Sequence, residues 1–270
     1  MDLHLFVVTS VAVFAATMFQ TIAGFGYAII GVPLLSGILG IKETVIFLLI
    51  GSIYMRVYVV FKVRKELEFN MVKRIFLGAM VGIIPGSIML RHLDGNSLRI
   101  VLGVTLILAV IVLKSNYRWH TVHEKLEQFC FGIIGGFFNG STSVGGPPIV
   151  LYMLNAQQPK DKMRANLFLY FLMTNIFTMI VWLLLGSAHF SDVVGLPLWT
   201  LPAAFLGIYA GEKIFFHINQ HLFNRIAMAT ILLSGLNMLV AQAIAAEEIW
   251  QGCKINHEII AGIVQEMQEV

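Results

Sequence analysis

Apolar residues fall along the chain in eight long runs, near 3–40, 44–61, 71–90, 97–113, 127–156, 165–187, 193–211 and 222–246, with short polar segments between them. A helix rises about 1.5 Å per residue and the hydrocarbon of a bilayer is about 30 Å thick, so about 20 apolar residues make one crossing. Six runs fit one crossing. The first and fifth are too long, and each carries an interruption: Thr21-Ile22-Ala23-Gly24-Phe25-Gly26 in the first, and Asn139-Gly140-Ser141-Thr142-Ser143-Val144-Gly145-Gly146-Pro147-Pro148 in the fifth. Glycine leaves the backbone uncovered and proline has no N–H to donate, so both stretches are expected to be unwound, each between two helical pieces. Hydrocarbon tolerates unwound backbone only where it faces protein or a watery cavity.

Composition narrows the setting. Of 270 residues 58% are hydrophobic and 12% charged, against roughly 45–50% and 25% in an ordinary soluble domain, and the mean hydropathy is +0.82. A water-soluble globule is excluded, and the lipid bilayer is the first partner. Charges cluster between the apolar runs, as the cost of burying ions in lipid requires. A net charge of +3 is too small to suggest nucleic acid, and Cys130 and Cys253 stand too far apart to suggest a disulfide framework. Met1-Asp2-Leu3-His4 lacks the basic start of a secretory signal, so the first run reads as retained structure in a multi-pass protein of a cell membrane, most simply a bacterial inner membrane.

The chain reads as duplicated. At an offset of 119, Phe19, Gln20, Gly26 and Leu35 align with Phe138, Asn139, Gly145 and Leu154; at 125, Ala79, Gly82, Ile83, Gly86 and His92 align with Ala204, Gly207, Ile208, Gly211 and His217. Lysine and arginine collect in cytoplasmic loops, which discriminates between two topologies. If the long runs each cross once, the two sides receive 9 and 8 cations; if each turns back at its break as a hairpin of two short helices, they receive 13 and 4. The second arrangement is preferred. It gives three single crossings per half and hence antiparallel halves, the inverted repeat of secondary transporters. The expected fold is therefore an all-α polytopic membrane protein of two inverted repeats, 1–115 and 127–246. A cytoplasmic linker spans 116–126, and an amphipathic tail over 247–270 is suited to packing or homo-oligomer assembly.

Helix breaks at corresponding places in two halves point to a substrate site near the membrane midplane. Bare N–H groups and the positive end of a half-helix favour an anion. The candidate binding residues are Gln20, Thr21, Gly24, Phe25, Gly26 and Tyr27 at the first break, and Asn139, Ser141, Thr142, Ser143, Gly145 and Gly146 at the second. Arg56 joins them as an intramembrane cation, able either to attract an oxyanion or to snorkel to the interface. Asn175, Trp182, Asn237 and Gln242 read as interhelical hydrogen-bonding groups. No Asp or Glu falls in the middle of a run, so a carboxylate relay has no carrier, and no Gly-Lys-Ser or Gly-Lys-Thr occurs, so no nucleotide site is expected. No cofactor or metal is called for. A serine hydrolase built on Ser141 or Ser143 is disfavoured, because all eight histidines lie at or beyond the ends of the runs. A non-transporting scaffold leaves the paired interruptions without a purpose.

Gly24-Phe25-Gly26 followed by Val32-Pro33-Leu34-Leu35, and Gly145-Gly146-Pro147-Pro148-Ile149-Val150-Leu151-Tyr152 followed by Arg164-Ala165-Asn166, together resemble the sulfite exporter TauE/SafE family over essentially residues 3–246. The resemblance implies a multi-pass transporter of sulfur-containing anions such as sulfite, sulfoacetate or related organosulfonates, with the glycine-rich segments as signature elements. Two departures bear on the choice of anion: Gly26-Tyr27-Ala28 stands where further glycines are common, and Ser143 where glycine is common.

Overall fold

A computed structural model describes residues 3–39, 41–92, 123–142, 145–185, 199–230 and 232, and no strand occurs among them. The run 97–113, the tail 247–270, Ser143, Asn237 and Gln242 lie outside the described residues. The helices are α1 (Leu3–Ala23), α2 (Tyr27–Leu39), α3 (Ile41–Lys62), α4 (Phe69–His92), α5 (Glu124–Thr142), α6 (Gly146–Asn155), α7 (Lys160–Leu184), α8 (Leu201–His217) and α9 (220–230). Among the described residues, three stretches are long and apolar enough to cross a membrane: Phe6–Ala23, Phe69–Met89 and Lys160–Leu184.

Both interruptions break the helix, and they do so later than the polar residues suggest. Helix α1 continues through Gln20 and Thr21 and stops only at Gly24 and Gly26, whose φ angles of +82° and +98° leave the helical region. Side chains rarely adopt such values, so glycine is required there. Helix α5 likewise continues through Asn139, Ser141 and Thr142. The arms of each pair are unequal: α1 has 21 residues, about 31 Å and a full bilayer, whereas α2 has 13 and α6 has 10. The expected hairpin of two short helices is thus, at the first break, one full-length helix followed by one half-length helix.

Glycine stripes set the packing. On α4, Gly78, Gly82 and Gly86 lie against the carbonyls of Phe129, Ile133 and Phe137 in α5; reciprocally, Gly132, Gly136 and Gly140 lie against those of Ile75, Ala79 and Ile83. A methyl group at any of these glycines would overlap the facing backbone. The same register recurs elsewhere. In α8, Gly207 packs on the carbonyl of Phe14 and Gly211 on that of Met18 in α1, with an added Cβ 2.7 and 2.6 Å from those oxygens. Gly82 and Gly86 become Gly207 and Gly211 at an offset of 125, and Ile133 and Phe137 become Phe14 and Met18 at an offset of 119. Helix α4 therefore meets α5 as α8 meets α1. The opposite face of α4 exposes Leu77, Val81, Ile84 and Ile88, a stripe suited to lipid.

Polar contacts gather the basic segments at one end of the bundle. The Glu68 carboxylate accepts from Lys162 Nζ at 2.8 Å and from Gln158 Nε2 at 3.2 Å, and its backbone N–H donates to Asn166 Oδ1 at 2.8 Å. Arg74 donates to Gln128, and Lys62 pairs with Glu212. A single crossing by each long run would put 62–74 and 160–164 on opposite sides of the membrane; the Glu68–Lys162 pair joins them.

Candidate functional site

The two breaks meet. An added Cβ on Gly146 would lie 3.3 Å from Phe25 Cδ2 and 2.9 Å from Phe171 Cζ, so the rings of the first break and of α7 rest directly on the backbone of the second. Beside this contact is a small pocket of about 30 Å³, room for about two waters. It is lined by Gly26 and the first turn of α2, Tyr27 to Ile29, by Gly146 and Pro147 in the first turn of α6, and by Leu48, Ser52, Arg56, Phe171 and Asn175 of α3 and α7. The pocket lies where the two apolar cores of the protein adjoin, with Phe25 belonging to one and Tyr27 to the other.

The first turns of both half-helices therefore border one cavity. Each helix start presents N–H groups without intrahelical partners and a partial positive charge. The two ends differ in what they donate. Helix α2 begins with Tyr27-Ala28-Ile29, all with N–H groups, whereas Pro147 and Pro148 in α6 have none, so α6 contributes its dipole but few donors.

Arg56 supplies the formal charge. It is only 5% exposed, so it turns inward and does not snorkel. Its Nη1 donates to Ser52 Oγ at 2.7 Å, and its guanidinium lies 5.1 Å from the centre of the Phe171 ring. Asn175 Nδ2 donates to the same Ser52 oxygen at 3.0 Å, and Ser52 in turn donates to the Leu49 carbonyl at 2.7 Å. A single hydroxyl thus accepts from two strong donors. An oxyanion entering the pocket would offer those donors better acceptors.

Of the candidate residues, the pocket brings together Phe25, Gly26, Tyr27, Arg56 and Gly146. Gln20, Thr21, Gly24, Asn139, Ser141 and Gly145 are not part of its lining. Their hydrogen bonds explain why: Thr21 Oγ1 donates to the Thr17 carbonyl at 2.8 Å, Ser141 Oγ to that of Phe137 at 2.8 Å, and Asn139 Nδ2 to Thr178 Oγ1 at 3.0 Å. Hydroxyls in a helix readily bond back to the preceding turn, and these support the helix ends that carry the breaks. Gly24 seats the break on α7, where an added Cβ would lie 3.0 Å from Leu167, and Gly145 lies against Gly135 and Asn139. The side chain of Thr142 is outside the described residues. Trp182 donates to the Gly140 carbonyl at 3.4 Å, an interhelical bond as expected. Ser52 and Phe171 carried no sequence signal of their own, although Ser52 lies one helical turn before Arg56.

The helices thus present lipid-suited outer faces and enclose a cationic, donor-lined pocket at two helix breaks. The chain matches the family described as sulfite exporter TauE/SafE over residues 9–238 and belongs to it, and it is accordingly a membrane transport protein. Neither a curated relative nor a solved structure matches the chain.

Proposed function

We propose that the protein is a secondary transporter or facilitator that moves a small sulfur-containing oxyanion (sulfite, sulfoacetate or a related organosulfonate) by alternating exposure of the pocket between two inverted repeats, 1–115 and 127–246. One observation carries the reading: the starts of α2 and α6, with Arg56, line one cavity. The recurrence of the α4–α5 glycine register in α8–α1 supports two related halves. The gathering of Lys62, Arg74, Lys160 and Lys162 at one end supports turned-back long runs. Because the cavity holds about two waters, the anion enters as the halves part around Phe25 and Gly146 and is enclosed as they close.

Uptake of ³⁵S-sulfite into proteoliposomes tests this. Ser143→Leu should abolish flux in protein that still inserts and runs as a monodisperse peak, as should Gly145→Val, whose Cβ meets the Gly135 carbonyl at 2.3 Å and which therefore also loses stability. Normal flux in both would remove the second break from the mechanism.

A further inference from the structure

A second buried arginine adjoins the first break. Arg164, in the second turn of α7, is 5% exposed, and its Cα would lie 3.3 Å from a Cβ on Gly24. Its Nη1 makes one long bond, 3.3 Å to the Thr21 carbonyl, and its buried Nε–H has no hydrogen-bond acceptor. The guanidinium stacks 3.7 Å over the Phe215 ring, which also carries Lys160 Nζ at 4.6 Å. The carboxylates that act on Arg164 are Glu212, one turn before Phe215, and the exposed Asp161; Glu212 is already paired with Lys62. Glu212 thus serves both Lys62 and Arg164, Lys160 Nζ donates to the Phe215 and Ile218 carbonyls at the end of α8, and the guanidinium edge that forms bidentate bonds is only partly used. Such an edge, buried without an acceptor, is costly unless an anion reaches it.

Its place on α7 relates it to the pocket. Arg164, Phe171 and Asn175 are spaced by seven and four residues, hence on one face of the helix to within about 40°. Seven residues put Arg164 about 10 Å from Phe171 along the axis, toward the basic end of the bundle. Arg164 is not part of the pocket lining, and Phe25 stands between Gly24, which rests on Arg164, and Gly26, which lines the pocket with Arg56.

We infer that Arg164, with Lys160, forms a second oxyanion site, in which the transported anion is held between the basic mouth and the Arg56 pocket. This rests on the transport reading above. The site exchanges anion with the Arg56 pocket when Phe25 leaves its contact with Gly146. The bond to Thr21 alone would make Arg164 only a cap for the end of α1, a role that binds no anion.

Equilibrium dialysis of the purified full-length protein against ³⁵S-sulfite separates these roles, in a neutral detergent so that no lipid phosphate competes. The wild type should bind two sulfites per chain, Arg164→Gln one, and Arg164→Lys should weaken the second site about tenfold, because an ammonium lacks the planar fork. If Arg164→Gln does not fold, the wild-type stoichiometry and Arg164→Lys decide. One sulfite per chain in the wild type, unaffected by Arg164→Lys, would overturn the second site and leave the Arg56 pocket standing. No bound sulfite in any form would overturn both.

Discussion

Replacing Arg56 by glutamine should separate transport from stability. In the closed pocket Arg56 donates to Ser52, but Ser52 also accepts from Asn175 and donates to Leu49, so the hydroxyl keeps partners when the guanidinium is removed. The neutral amide also avoids the cost of holding a charge at 5% exposure. The variant should therefore unfold within about 1 kcal/mol of the wild type, a few degrees in a chain of this size. The loss falls on the anion: a charge-assisted hydrogen bond contributes about 1.5–3 kcal/mol, so KM should rise about 10- to 150-fold. Initial rates of ³⁵S-sulfite counterflow in proteoliposomes over a concentration series, with melting curves on the same preparations, measure both. An unchanged KM in a correctly inserted variant would show that Arg56 does not meet the anion. A collapse of the melting temperature would show that it is a structural residue.

Other consequences follow from the same geometry. Ser52→Ala removes the acceptor shared by Arg56 and Asn175 and should cost about 1–3 kcal/mol of stability; saturating sulfite should restore part of the melting temperature, and equal shifts in variant and wild type would contradict this. Gly82→Ala drives a methyl into the Ile133 carbonyl and Gly207→Ala into that of Phe14, the first more severely; each should lower stability by about 1–3 kcal/mol, with Gly82→Ala the worse in thermal melts. Lys62→Gln removes the cation paired with Glu212, whose side chain is only 11% exposed, and should lower stability by about 1–3 kcal/mol in thermal melts. Single cysteines at Lys65 and Lys162 should react with an impermeant maleimide from the same side of the membrane, and labelling from opposite sides would contradict the Glu68–Lys162 contact.

The breaks were legible because glycine and proline interrupt an otherwise uniform apolar pattern, and Gly24, Gly26 and Gly145 lie where the helices stop. The offsets of 119 and 125 were legible too, and the same numbers reappear in which carbonyls the glycines of α4 and α8 touch. The side chains that face the pocket were less so. Gln20, Thr21, Asn139 and Ser141 are polar and adjacent to the breaks, but a helix can absorb a hydroxyl or amide through its own preceding turn or a neighbouring helix, and adjacency in sequence does not show which happens. The direction of Arg56 was open because its run ends a few residues away, within reach of a snorkelling side chain. Ser52, Phe171 and the pairing of Arg164 with Phe215 depend on contacts between helices far apart in the chain.

On this reading two helix starts and one inward arginine grip an anion where the breaks meet. Selenite has the shape and charge of sulfite and scatters anomalously, so crystals of the protein grown with it would locate the guest directly. An anomalous peak is expected within hydrogen-bonding distance of Arg56 and the first N–H groups of α2, close to Gly146 and Phe171. Peaks confined to the surface lysines, with the pocket between α2 and α6 empty at saturating selenite, would contradict it.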